Sequence, residues 1–167
     1  GFITPETEEL KIKPDGSSEA FYTFKRQQYT ITVNDNDKKI KRWNAPKTAY
    51  YEEKVDVSFE TNAGYRAAGI TTDSIALEDA TQTTAHFTMP ASDNTLTAKA
   101  DPLKYTISYE MNHGTNSGNA VTEYTYGDTV ALPDASTMSL PGFVFDGWYK
   151  KESFDGEPVT HILPDMI

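Results

Sequence analysis

The 167-residue chain contains no cysteine. That absence excludes disulfide scaffolds, thiolate metal sites and cysteine nucleophiles together. Cations are scarce too: 15 Lys and Arg stand against 25 Asp and Glu, for a formal charge of −10. A nucleic-acid partner or an anionic membrane surface would demand clustered cations facing phosphate, so neither is expected. No apolar run approaches the roughly 18 residues of a membrane-spanning helix, and no leader or lipidation signal is present. The sequence therefore reads as a soluble fragment or a mature piece, and its final residues, Leu163 to Ile167, lack the Thr and Gly of a sortase signal. Histidine is limited to three widely separated positions, His86, His113 and His161, none with a second ligand at metal-like spacing. The stretch Asn34 to Arg42 begins like a calcium loop but has Ile40 where the turn glycine belongs and Pro46 where the closing Glu belongs. No phosphate loop, nucleophile elbow or convergent carboxylate pair is found, so no catalytic residue, metal or cofactor is expected and the chain is read as a non-enzyme.

Strand-forming chemistry is plentiful. Twenty-two Thr, 10 Tyr and 8 Phe suit a pleated, half-buried surface. Period-two alternation marks Tyr29 to Val33, Thr48 to Glu60, His86 to Met89, Thr95 to Lys99 and Tyr105 to Met111, with Gly, Asn and Pro between the runs. Helical periodicity is weak, leaving Thr72 to Gln82 and Lys150 to Glu157 as the two places for a short helix.

The chain also repeats itself. "YTITV" at Tyr29 returns as "YTISY" at Tyr105, 76 positions on, and "AGYRAAG" at Ala63 returns as "PGFVFDG" at Pro141, 78 positions on. Ahead of each Tyr-Thr-Ile lies a strand, a turn and a strand: "LKIKPDGSSEAFYTFKRQ" before the first, "HFTMPASDNTLTAKADPLK" before the second. Three pieces follow from this pattern. Residues 1–28 are the tail strands of an earlier unit and a junction, residues 29–104 a complete unit, and residues 105–167 a second unit without its closing strand. The acidity is concentrated in the last piece, which carries two Lys and no Arg against nine Asp and Glu.

"YTISYEMNHGTNSGN", then "EYTYGDTVALPDAS", then "PGFVFDGWYKKESFDGEPV", resembles the internalin B-repeat family, also called the Listeria-Bacteroides repeat. The complete first unit is a more divergent relative: "FTMPASDNTLTAKA" fits the closing strand, while "YRAAGIT" replaces the Gly-Trp-Tyr element. The resemblance implies a mainly β (α+β) fold, a tandem of small β-grasp, ubiquitin-like repeats with one short helix each. It also implies an extracellular setting, on the bacterial cell surface or in the cell wall, with neighbouring repeats of the same chain as partners.

Two readings of the aromatic and basic residues stay open. As a spacer or stalk that assists adhesion, the chain needs Phe145 and Trp148 only as core, where one buried aromatic contributes roughly 2 to 3 kcal/mol. As a binding module for cell-wall or host glycans or host proteins, it would use Trp43 with Lys41 and Arg42, and an exposed platform of Tyr124, Tyr126 and Tyr149.

Overall fold

A computed structural model describes residues 2–3, 11–21, 23–34 and 38–164. Residues 35–37 of the rejected calcium loop, most of the first ten residues, residue 22 and residues 165–167 lie outside the described residues. The chain divides into two compact units: Gly1–Asn62 with Ala67–Ala100, and Ala63–Arg66 with Asp101–Ile167.

In the first unit, β1 (Phe2–Ile3) pairs antiparallel with β2 (Lys25–Arg26). The body is built from β3 (Gln28–Asn34), β4 (Ile40–Asn44), β5 (Thr48–Tyr50), β6 (Lys54–Thr61), β7 (Tyr65–Thr72), β8 (Thr84–Thr88) and β9 (Asn94–Pro102). They form a four-stranded mixed sheet, β5-β3-β9-β7, in which β3 and β9 run parallel, and a three-stranded antiparallel sheet, β4-β6-β8. Alternation in the sequence becomes alternation in burial: Val55, Val57 and Phe59 of β6 are each 3% exposed, and Ala85 and Phe87 of β8 are fully buried. Leu96, Ala98 and Ala100 of β9 supply the other sheet's share of the core with Ile31 and Ile70. Asn94 is the buried polar residue here, its amide donating to Ser92 O at 2.8 Å while its oxygen accepts from the Ser74 hydroxyl at 3.1 Å.

The second unit holds six short strands: β10 (Lys104–Thr106), β11 (Thr115–Asn116), β12 (Glu123–Thr125), β13 (Val130–Ala131), β14 (Met138–Ser139) and β15 (His161–Ile162). Their pairings reproduce those of the first unit. The β3–β5 partners Tyr29 and Ala49 recur as Tyr105 and Tyr124 in β10–β12. Ile40 with Thr61 recurs as Thr115 with Ser139 in β11–β14, and Val55 with Phe87 as Val130 with Ile162 in β13–β15. Backbone twists repeat as well, with Gly64 and Gly142 at φ 84° and 83°, and Gly69 and Gly147 at 120° and 149°. Side-chain burial does not repeat, since Val130, 9% exposed, is the one buried hydrophobic residue of this unit among the described residues.

The β-grasp expectation, with one helix per repeat, is corrected: no helix occurs among the described residues, and both units are built from strands and turns. Over Thr72 to Gln82 the backbone groups are taken elsewhere. The Thr72 hydroxyl donates to Ile75 O at 2.8 Å and accepts from Ile75 N–H at 3.3 Å, Asp79 sits at φ 45°, and Glu78 exchanges both backbone bonds with His86. A hydroxyl that satisfies local backbone groups competes directly with a helical turn. Over Lys150 to Glu157 a single turn closes from Phe154 N–H to Lys151 O, and φ values of 56° at Phe154 and 99° at Gly156 stop it there.

Candidate functional site

Lys41, Arg42 and Trp43 are consecutive on β4, and in a regular strand Lys41 and Arg42 would point to opposite faces. A bulge decides otherwise. The register steps from Ile40 opposite Thr61 to Arg42 opposite Glu60, so Lys41 and Arg42 together oppose one residue. Both cations then address the same carboxylate, Arg42 Nη2 donating to Glu60 Oε1 and Lys41 Nζ lying 3.8 Å from Glu60 Oε2. The Arg42 hydrogen bond, helped by the two positive charges, holds the Glu60 carboxyl below its usual range.

The same bulge turns Trp43 inward, to the side on which Ile40 is buried. Trp43 lies opposite Phe59, with ring centroids 5.5 Å apart and planes tilted by 42°. Its ring is half-buried, and its Nε1 is a buried donor without a hydrogen-bond partner. Two concavities meet at this residue. One of about 230 Å³ is lined by Arg42, Trp43, Asn44, Ser58, Phe59 and Glu60. The other, about 400 Å³, has an apolar floor of Ile31, Val33 and Ile40 and a rim that includes Lys41, Arg42 and Lys47. Trp43, one of the residues singled out for binding, stands on a strand with one face against Phe59. Phe59, Glu60 and Lys47 belong to this site and were not singled out beforehand; only the bulge register, which no local pattern announces, brings them to Trp43.

In the second unit the three candidate tyrosines have separate attachments. Tyr124 stacks on its cross-strand partner Tyr105, with centroids 5.5 Å apart. Tyr126 meets Tyr65 edge-on at 5.2 Å and lies over Gly64, where an added Cβ would fall 2.5 Å from the ring. Tyr149 packs on Phe154, and its hydroxyl donates to Asp146 Oδ2, a bond that raises the phenol's pKa. All three are half-buried, each held by a different residue.

Trp148 takes a core-like position. It packs on Tyr109 and Phe145, with centroids at 5.0 and 5.6 Å, and donates from Nε1 to Pro133 O at 2.7 Å. Phe143 and Val144 are left outside, 74% and 92% exposed. Among the described residues, no group of three or more His, Asp or Glu is placed to hold a metal ion, and no helix is long and apolar enough to cross a membrane.

Comparison with known families divides the chain near residue 100, as its geometry does, although Ala63–Arg66 belong to the second compact unit. Residues 105–164 match the Listeria-Bacteroides repeat domain, and residues 22–100 match the divergent InlB B-repeat domain. No curated protein and no solved structure matches the chain.

Proposed function

Because the chain belongs to the divergent InlB B-repeat domains over residues 22–100 and to the Listeria-Bacteroides repeat domains over residues 105–164, we propose that it is a non-enzymatic spacer segment of an extracellular bacterial surface protein. Repeat families of this kind are typical of such proteins. The observation that carries the spacer role is the link: β9 ends at Pro102 and β10 begins at Lys104, so Leu103 alone separates them. Leu103 N–H donates to Gly64 O, and Leu103 O accepts from Tyr126 N–H, both at 2.8 Å, so the link residue has neither backbone group idle. A one-residue connection beside a proline restricts the chain far more than a flexible linker. Units so joined hold a neighbouring domain away from its anchor, and adhesion follows from that display.

Small-angle scattering from arrays with one to four copies of residues 29–104 tests the spacer role. Its expected outcome is a maximum dimension that grows in proportion to copy number. Growth near the square root of copy number would mean flexible joints and would end the spacer reading.

A second reading rests on the partnerless Trp43 Nε1 beside the cavity rimmed by Lys41, Arg42 and Lys47. Here the site takes an anionic or polyhydroxylated glycan, which offers an acceptor to the indole N–H and negative charge or hydroxyls to the cations. Trp fluorescence titrated with cell-wall and host glycans checks it, with Trp148→Phe used to isolate the Trp43 signal. A saturable change that disappears on Arg42→Gln supports binding, and a flat response across the panel removes it.

A further inference from the structure

The two cavities that share Arg42 and Trp43 differ in the hydrogen bonds their linings can make. In the larger, of about 400 Å³, the polar side chains are those of Lys41, Arg42, Trp43 and Lys47. Ammonium, guanidinium and indole groups donate hydrogen bonds and accept none, so this lining holds no side-chain acceptor. The smaller, of about 230 Å³, adds Asn44, Ser58 and Glu60, whose oxygens do accept. A ligand hydroxyl therefore finds a side-chain acceptor in the smaller cavity and none in the larger.

Charge and polarity in the larger cavity point the same way. Residues 38–47 hold five Lys or Arg and no Asp or Glu, in a chain whose formal charge is −10. Three cations stand at the rim against the one carboxylate of Glu60, which Arg42 and Lys41 already engage. Lys47 makes no ion pair among the described residues. Positive charge is thus left over for an anion. Beneath it Ile31 and Ile40, 5% and 8% exposed, form an apolar floor with Val33, a surface that favours an alkyl group over a hydroxyl. Trp43 Nε1, buried and partnerless, is a donor whose missing bond is a standing cost that an incoming acceptor removes.

Resting on the glycan reading of this site, we propose that its ligand is a sugar carrying both a carboxylate and an N-acetyl group. The carboxylate lies among Lys41, Arg42 and Lys47. The acetyl methyl lies on the apolar floor and the acetyl carbonyl accepts from Trp43 Nε1, while the ring hydroxyls and the amide N–H turn to Asn44, Ser58 and Glu60. A neutral sugar brings nothing to the cations, and a uronic acid brings nothing to the floor. An alkyl carboxylate makes no use of the smaller cavity. Muramic-type sugars of bacterial walls and neuraminic-type sugars of host surfaces share the required chemistry.

Proton–nitrogen NMR of the isotope-labelled 167-residue chain reads the site directly, because the chain has two indole N–H groups and that of Trp148 already donates to Pro133 O. The titrants are N-acetylmuramic acid, N-acetylneuraminic acid, N-acetylglucosamine, glucuronic acid and octanoate, and the Trp148→Phe spectrum assigns the two signals. The Trp43 signal is expected to move downfield saturably with at least one acidic N-acetyl sugar, and the one that binds names the cell-wall or host source. The Trp148 signal stays. N-acetylglucosamine, without the carboxylate, should bind about tenfold more weakly or worse. Glucuronic acid, without the acetyl group, should bind at least about fourfold more weakly. Lys47→Gln, which leaves the backbone bond from Ile31 N–H to Lys47 O intact, should weaken the acidic sugar about two- to fivefold with the melting curve unchanged. Equal or tighter binding of N-acetylglucosamine or glucuronic acid, or a Lys47→Gln chain that binds as tightly as its parent, overturns the proposal and leaves the glycan site standing. A Trp43 signal that moves with octanoate alone, or with no titrant, overturns both.

Discussion

Deleting Lys41 should leave the first unit folded, although the deletion lies inside a strand. The register makes the case. Ile40 and Trp43 are three residues apart yet face the same way, because Lys41 and Arg42 share the single partner Glu60. Without Lys41, Ile40 and Trp43 become alternate residues of a regular strand, and Thr61, Glu60 and Phe59 oppose Ile40, Arg42 and Trp43 without a bulge. The lost Lys41–Glu60 pair is exposed on both sides and 3.8 Å long, so solvent screens it and its loss matters little.

Deleting Ser58 from β6 makes the contrast. Val57 and Phe59 on either side of it are each 3% exposed, and closing the gap sends one of them to solvent. Losing Phe59 from the core costs about 2 to 3 kcal/mol by area, and its ring contact with Trp43 adds roughly 0.5 to 1.5 kcal/mol. A loss of about 3 kcal/mol lowers the midpoint of a unit this size by roughly 12 to 24 °C, against a much smaller shift for the Lys41 deletion. Thermal unfolding followed by circular dichroism reads both values, and the Trp43 emission maximum reports whether the ring stays half-buried. If the Lys41 deletion melts as early as the Ser58 deletion, or shifts Trp43 emission to that of an exposed indole, the bulge does not set the direction of Trp43.

Other expectations follow from single contacts. Gly64→Ala and Gly142→Ala both force a non-glycine residue to φ near 84°, but only the first meets a ring, Tyr126 at 2.5 Å; Gly142→Ala should cost about 1 kcal/mol and Gly64→Ala clearly more, as urea titration would show, and equal costs would refute the steric part. Trp148→Phe removes the donor to Pro133 O and should lower the second unit's stability by about 1 to 2 kcal/mol, so an unchanged urea midpoint would remove that bond from the account. The Glu60 and Glu78 carboxyls, held down first by hydrogen bonds from Arg42 and Lys54, should titrate below the ordinary 4.5. Their small contribution is present above pH 4.5 and lost as pH falls through the depressed values, and carboxyl carbon NMR midpoints at or above 4.5 would contradict the pairing.

The strands were legible because alternation is a local property. Val55, Val57 and Phe59 show it in five letters, and the repeated Tyr-Thr-Ile located β3 and β10 without any structure. The helix assigned to Thr72–Gln82 failed for a reason that pattern does not carry: Glu78 is needed by His86 across a turn, and Thr72 satisfies Ile75 with its own hydroxyl. The direction of Trp43 was not legible, because one extra residue between Ile40 and Arg42 reverses every direction after it. Phe145 and Trp148, read as core, pack against each other, while the neighbouring Phe143 is 74% exposed.

The two units share a backbone and differ in what it carries, which guards against confusion between neighbours during folding. Adjacent repeats of similar sequence misfold by exchanging equivalent strands. Here an exchange of β7 for its counterpart would bring Phe145 to the site of Ala67 and Trp148 to that of Ile70, where the native side chains are already 8% and 7% exposed. Two rings cannot enter a space packed for a methyl group and a branched aliphatic without displacing their neighbours. Divergence between the units thus acts as an address, letting each strand find its own sheet.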